Sequence, residues 1–457
     1  MKALFGTDGI RGEAGQFPLD PATVNTIGFS LASHLASNSA TAPQIIIGRD
    51  TRESGESIQQ ALASGASRAG ANCLSAGVIT TPGVAFLTRK HQAAAGVVIS
   101  ASHNPYQDNG IKIFAPSGQK MDDSVERLIE ADVFSNAEKA ASHESNETLF
   151  SPELEQKLQQ EYLSFLADEI GAGLTLHGLK MVVDCANGAS SNLAPVLFSQ
   201  LGANVVAINA SPDGQNINRD CGSLHIETLR KRVVKERADL GVAFDGDADR
   251  SLFVDNRGNY VDGDATLWAL GTHLQSHGRL KDNVVVVTVM SNVGLEIAFR
   301  AVGIRLVRTD VGDKYVLDEL LRLNASLGGE QSGHIILPEL SLAGDGIITT
   351  VCLLRALRES GKTLAEMTAG FKQYPQILVN VRVKEKVSFN DLPAVRAEVD
   401  AVEELLSHKG RLLLRYSGTE PLARVMIEGE NQAKIEAYAN KIARAIEREI
   451  GARKARS

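Results

Sequence analysis

The chain is 457 residues long, more than a single hydrophobic core supports, so two to four domains are expected. With 43% hydrophobic and 22% charged residues, it has the make-up of a soluble globular protein. Its formal net charge of −8 tells against a general nucleic-acid binder, whose affinity would rest on a basic face, yet leaves room for anions held by local arginines and backbone N–H groups.

The opening run Phe5-Gly6-Thr7-Asp8-Gly9-Ile10-Arg11-Gly12 is rich in glycine, but no strand precedes it and its spacing rejects a dinucleotide-binding turn. Met1 to Gly12 also lacks the apolar stretch of a signal peptide. An α/β pattern then recurs three times: an apolar strand ends in polar or small residues, a helical stretch follows, and a glycine introduces the next strand. The first copy has strands at Ile45 to Asp50, Gly70 to Leu74 and Gly96 to Ile99. The second has them at Met181 to Asp184, Gly202 to Val206 and Leu240 to Phe244, and the third at Val284 to Val287, Gly303 to Val307 and Leu327 to Gly329. Continuous β-branched strands alternating with helices predict sheets buried on both faces, in three similar α/β domains at 1–150, 151–255 and 256–370. The polar stretch from Ser135 to Gln160 reads as a surface helix and linker.

Near Lys372-Gln373-Tyr374-Pro375 the register changes, and the proline suits a hinge for whatever follows. Val379 to Val383 alternates as a strand, while Ile435, Tyr438, Ile442, Ile446 and Ile450 share one helix face, with Gly451 placed to cap it. Residues 371–457 are expected to form a small α+β domain. The four cysteines lie far apart with no Cys-x-x-Cys pair, which reads as reduced buried thiols rather than a disulfide frame or a zinc site. The longest β-branched run, Val284 to Val289, is too short to span a bilayer, and a cytoplasmic location without a membrane partner is expected.

Four loops carry chemistry. After the strand Val97-Val98-Ile99, the turn Ser100-Ala101-Ser102-His103-Asn104-Pro105 is expected to lift the Ser102 hydroxyl into the open. Such a serine is either an ordinary turn residue or a carrier of catalysis, and the missing Gly-x-Ser-x-Gly frame disfavours a hydrolase elbow. Asp245, Asp247 and Asp249 follow a strand with only Gly246 and Ala248 between them. An extended loop would turn all three carboxylates to one side, as hard oxygen ligands for Mg²⁺; the alternative is an acidic surface turn, in which they would repel one another. An EF-hand fits poorly, because Arg250 and Asn256 stand where glycine and glutamate are needed. Glu330 and Ser332 suit sugar hydroxyls, and His334 suits either proton transfer or a structural hydrogen bond. Arg415, Ser417, Gly418, Thr419 and Arg424 have the composition of a phosphate cradle, or of a plain turn. Arg11 and Lys112 are cations that either flank a phosphoserine or lie on the surface.

With these loops in order along the whole chain, the sequence resembles the α-D-phosphohexomutase superfamily, and its opening motif is similar to the start of the phosphoglucosamine branch. The resemblance implies three α/β domains with mixed sheets flanked by helices, and a fourth like the TATA-binding-protein fold, around a central cleft. It implies a phosphorylated Ser102 and one Mg²⁺ held by Asp245, Asp247, Asp249 and the serine phosphate. Glu330 and Ser332 would bind the sugar, Arg415, Ser417, Gly418, Thr419 and Arg424 its non-reacting phosphate, and Arg11, Lys112, Arg250 and His334 would assist transfer. The implied reaction interconverts glucosamine 6-phosphate and glucosamine 1-phosphate through a 1,6-bisphosphate, feeding UDP-N-acetylglucosamine and cell-wall synthesis. Its partner is thus a small phosphosugar. The rivals are a mannose or glucose preference on the same scaffold, a metal-dependent phosphatase using Asp245, and a non-catalytic phosphosugar-binding protein.

Overall fold

The computed structural model describes residues 4–6, 8–37, 41–136, 150–417 and 420–452. Strands β1 (Ile10–Glu13), β2 (Gln44–Arg49), β3 (Asn72–Val78), β4 (Ala95–Ile99) and β5 (Asp108–Phe114) form a sheet in the order β1-β5-β4-β2-β3. Within it β3, β2 and β4 are parallel, and β5 returns antiparallel, pairing Lys112 with Val98. The plan repeats in β6 (Lys180–Asp184), β7 (Asn204–Ile208), β8 (Leu240–Phe244), β9 (Ser251–Asp255) and β10 (Tyr260–Val261), ordered β10-β9-β8-β6-β7. It repeats again, shortened, in β11 (Val284–Thr288), β12 (Arg305–Thr309), β13 (Gly328–Gly329) and β14 (Ile335–Ile336), ordered β12-β11-β13-β14. The three similar mixed-sheet α/β domains expected from the sequence are therefore present.

Each of β4, β8 and β11 is buried along its whole length, which requires cover on both faces. Helices supply it where the sequence caps them: Asp20 accepts the Thr23 N–H at the start of Pro21–Ala36, and Thr80 accepts the Gly83 N–H at the start of Thr81–Lys90. Parallel strands flanked by helices leave their carboxyl ends open for loops that meet ligands. Ser102 follows β4, the three aspartates follow β8 and Glu330 follows β13. Part of the linker expected between Ser135 and Gln160 forms the helix Pro152–Ser164, and residues 137–149 of it lie outside the described ones.

By its contacts the chain divides into two units, Met1–Met290 with Leu306–Ala369, and Ser291–Arg305 with Gly370–Ser457. In the second unit β15 (Gln376–Arg382), β16 (Gly410–Tyr416) and β17 (Leu422–Gly429) form an antiparallel sheet ordered β15-β17-β16. The helices Pro393–Leu406 and Gln432–Ile450 pack on it through Val395, Val402, Ile435, Ile442 and Ile446, giving the expected α+β domain. Gly451 does end the last helix, but in extended rather than left-handed backbone (φ −61, ψ 136), its N–H donating to the Glu447 carbonyl.

At the expected pivot, Lys372 to Gln376, the chain already belongs to the second unit. Tyr374 donates its N–H to Asn292 Oδ1 (2.9 Å), and its carbonyl accepts from Asn292 Nδ2 (3.0 Å). The same Nδ2 also reaches the buried Glu428 carboxylate at 3.1 Å, and Glu428 takes Arg411 Nε at 2.9 Å. Both backbone groups of Tyr374 are thus clamped inside the second unit, together with the helix Val293–Ala301 that Asn292 caps. No helix among the described residues is long and apolar enough to cross a membrane, and all four cysteines are unpaired.

Candidate active site

Ser102 does not stand in the open. It is fully buried, with φ at +53, a conformation disfavoured for residues other than glycine. The reason is the network around it. Ser100 Oγ donates to Asp50 Oδ2 at 2.6 Å and accepts the Ser102 N–H at 2.9 Å. The Ser102 carbonyl accepts from Arg52 Nη2 at 3.0 Å and from Asn218 Nδ2 at 2.9 Å. Arg52, also bound to Asp50 Oδ2 and to the carbonyls of Asn104 and Pro105, is fully buried. The hydroxyl donates to Asp245 Oδ2 at 2.6 Å and lies 3.3 Å from His103 Nδ1. Gly246 permits this approach, since a Cβ there would lie 2.5 Å from the Ser102 carbonyl oxygen.

The aspartate loop is not extended as expected. It turns, the Ala248 N–H donating to the Asp245 carbonyl at 3.2 Å with Ala248 at φ +56, and the turn rather than strand alternation brings the carboxylates together. Ligand oxygens of Asp245, Asp247 and Asp249 lie within 4.8 Å of one another, and all three residues are buried. Burial, then the charges of Asp249 and Asp247, push the Asp245 carboxyl well above its ordinary range. Asp249 is held well below its own, because Lys112 and His334 outweigh the cost of its burial. Among the described residues, Oδ1 of Asp247 and Oδ1 of Asp249 are buried without a hydrogen-bond partner. Two such oxygens beside a third carboxylate fit a small divalent cation such as Mg²⁺.

Cations surround this cluster. Lys112, on β5, is 2% exposed and therefore no surface charge; its Nζ lies 2.9 Å from Asp247, 3.1 Å from Asp8 and 3.4 Å from Asp249. Burial works against its charge, but these three carboxylates raise its pKa well above the usual value. Arg11, on β1, pairs with Asp8 and reaches Asn104 Oδ1 at 3.3 Å. Arg250 is raised too, Asp249 and Asp245 overcoming its burial. His334 lies 3.7 Å from Asp249 and 3.8 Å from Asp313; burial opposes its proton, yet Asp249, Asp313 and Glu330 raise its pKa to about 9. Glu330 Oε1 accepts the Gly312 N–H at 3.3 Å, and Ser332 Oγ donates to Glu330 Oε2 at 3.4 Å. Arg11, Arg250, Asp249, Glu330 and His334 line one cavity of about 470 Å³, which suits a phosphorylated hexose.

The sequence reading passed over several partners. Thr81 donates to Asp247 Oδ2 at 2.5 Å, and Lys120 bridges Asp8 (2.7 Å) and Asp313 (2.8 Å). Arg52 had a signal, because it follows β2 as Ser102 follows β4; Asp8 stood within the opening motif. Lys120 and Asp313 carried none.

The remaining expected residues lie in the second unit. Arg415 on β16 sits opposite Arg424 on β17. Ser417 Oγ accepts from Arg424 Nη2 at 3.4 Å and from the Glu420 N–H at 3.3 Å, while Gly418 and Thr419 fall outside the described residues. Among the described residues Arg424 Nε is buried without a partner, a donor suited to an anion.

Four consecutive stretches match the phosphoglucomutase/phosphomannomutase family: alpha/beta/alpha domain I over residues 2–140, domain II over 160–258, domain III over 262–374 and the C-terminal domain over 378–445. The chain is 52% identical over 450 residues to a phosphoglucosamine mutase of Solibacter usitatus, covering 98% of this chain and 99% of the relative. A phosphoglucomutase/phosphomannomutase family protein of Burkholderia thailandensis superposes with a TM-score of 0.78 at 22% identity, over 98% of both chains. The N-acetylphosphoglucosamine mutase of Aspergillus fumigatus, solved with GlcNAc-6P and magnesium, superposes with a TM-score of 0.59 at 21% identity, over 97% of this chain and 95% of that one.

Proposed function

The chain belongs to the phosphoglucomutase/phosphomannomutase family, and from that premise we propose that it is an isomerase interconverting glucosamine 6-phosphate and glucosamine 1-phosphate through a phosphorylated Ser102. One observation carries the reading: a serine hydroxyl, fixed in a left-handed turn, donates at 2.6 Å into a buried trio of carboxylates with orphaned oxygens. Full-length similarity to phosphoglucosamine mutases favours glucosamine over mannose or glucose.

In this mechanism a free sugar hydroxyl attacks the phosphorus on Ser102 Oγ, the P–Oγ bond breaks, and a 1,6-bisphosphate forms. The intermediate then presents its other phosphate, and Ser102 Oγ recovers a phosphoryl group. Asp245, Asp247, Asp249 and an oxygen of the serine phosphate would hold Mg²⁺. The ion, when bound, neutralises charge on the transferring group. Lys112, Arg11 and Arg250 place fixed positive charge around the same oxygens, where positioning and electrostatics supply most of the catalysis. Glu330 and Ser332 orient sugar hydroxyls, and Arg415, Ser417 and Arg424, with Gly418 and Thr419, take the phosphate that is not reacting. His334, carrying its proton between Asp249 and Asp313, donates to oxygens that gain charge. The unpaired cysteines suit a reducing cytoplasm.

The test supplies glucosamine 6-phosphate with Mg²⁺ and measures glucosamine 1-phosphate together with free phosphate. Isomer formation without phosphate release is expected. Net phosphate release would identify a phosphatase, and tight binding without turnover a carrier protein.

A further inference from the structure

The helices Gly263–Ser276 and Gly346–Ser360 both start at the reacting loops: the Gly346 N–H donates to Ala248, and the Gly263 N–H to Gln331. Their far ends meet about 20 Å away by helix rise. There His273 Nε2 lies 2.9 Å from Glu359 Oε2, with His277 Nε2 4.0 Å from the same oxygen. We propose that His273, His277 and Glu359 form a second metal site, for a divalent transition cation that seeks imidazole, with Arg279 as its built-in competitor.

Three observations point to a ligand. First, His273 in the last turn of its helix and His277 at its cap bring their rings together, with centroids 4.3 Å apart. One donor atom from each of the three residues falls within a 4.8 Å group. Donors around a tetrahedral Zn²⁺ at 2.0–2.1 Å stand about 3.3 Å apart, a value that the 2.9 and 4.0 Å separations bracket. Second, the tautomer of His277 is set for ligation. Its Nδ1–H donates to the His273 carbonyl at 2.9 Å, leaving the Nε2 lone pair free, as a backbone carbonyl does behind many metal-bound histidines.

Third, a cation already occupies the place. Arg279 Nη2 is 2.7 Å from Glu359 Oε2 and 3.0 Å from His273 Nε2. A guanidinium nitrogen can only donate and a carboxylate oxygen only accept, so His273 Nε2 stands between a donor on Arg279 and an acceptor on Glu359 2.9 Å away. Arg279 brings positive charge to the Glu359 carboxylate from a side chain 43% exposed. The carbonyl ends of both helices add negative potential at the same point. Three protein ligands leave a position for water, and the imidazoles distinguish this site from the all-oxygen cluster that suits Mg²⁺.

Calorimetric titration of the full chain with Zn²⁺, under saturating Mg²⁺ to fill the carboxylate cluster, tests the proposal. The wild type should bind one equivalent. His277→Ala should weaken that binding by about tenfold or more, and Arg279→Gln should tighten it several-fold by removing the competitor. Mutase turnover in Mg²⁺ should match the wild type in both variants, certifying that they fold. Zn²⁺ binding that is absent, or equal in wild type and His277→Ala, overturns the site. An Arg279→Gln variant that binds no tighter overturns the competing role of the arginine.

Discussion

Ser102 and Ser417 each stand beside an arginine, and their surroundings are built in opposite ways. At Ser102 the backbone is bent into the left-handed region, at a cost of about 1–3 kcal/mol, and Arg52 and Asn218 hold the carbonyl there with bonds of 3.0 and 2.9 Å. The arginine is fully buried and bonds Asp50 and the carbonyls of Asn104 and Pro105 as well. At Ser417 the bonds to Arg424 and the Glu420 N–H stretch to 3.4 and 3.3 Å, and the Arg424 side chain is 29% exposed. An atom that makes and breaks bonds must be placed to fractions of an ångström, whereas a group that grips a spectator phosphate needs charge and room to adjust. Rigid support is spent on the first, long side chains on the second.

Removing the reacting atom breaks this contrast most completely. Ser102→Ala should lose nearly all turnover, and intact-mass analysis should show the wild type partly heavier by one phosphoryl group and the variant not at all. Asp247→Asn leaves the serine but removes an orphaned oxygen from the cluster; kcat should fall on the order of 10²–10³-fold, with a weakened dependence on Mg²⁺. Full activity in either variant would dismantle the assignment.

Next in size is the support itself. Arg52→Met leaves Asp50 as an uncompensated buried charge, which costs about 3–5 kcal/mol, so thermal unfolding should shift sharply downward. Arg424→Ala, by contrast, should leave stability almost untouched and raise KM, since one charge-assisted contact is worth about 1.5–3 kcal/mol, with kcat little changed. Equal stability losses in the two variants would erase the distinction between framework and grip.

The smallest effect is one of pH. Asp345 caps the helix Gly346–Ser360 and accepts a hydrogen bond from the buried Tyr162 hydroxyl. Burial foremost raises its pKa to about 6, from an ordinary 3.8. The folded chain therefore binds this proton more tightly than the unfolded chain does. The stability it brings is complete below about pH 4 and fades as pH rises through 6. Asp345→Asn keeps the cap and loses the titration, so its melting temperature relative to the wild type should climb from pH 4 to pH 7. A constant difference would show that Asp345 does not titrate in that window.

Strand runs such as Val284 to Val287 announced buried parallel sheets, and the loops after them announced where ligands go, because both depend on neighbours in sequence. Burial of Ser102 was not legible. It rests on Arg52, Asn218 and Asp245, which are 50, 116 and 143 positions away. The aspartates were recognised as a cluster, but for the wrong local reason, since spacing by two describes a strand and the chain makes a turn. Lys120 and Asp313 stayed invisible because each is one charged residue among many until the fold sets them 2.8 Å apart.

The clamp at Asn292 has a consequence for recombination. Family boundaries place residues 262–374 in one segment and 378–445 in the next, which marks residues 375–377 as a natural seam for chimeras. Yet the side chain that receives both backbone groups of Tyr374 and touches Glu428 comes from residue 292, deep inside the earlier segment. A transplanted C-terminal piece would leave its docking helix behind, so the exchangeable part of this chain is discontinuous: a tail and a distant helix that must be inherited together.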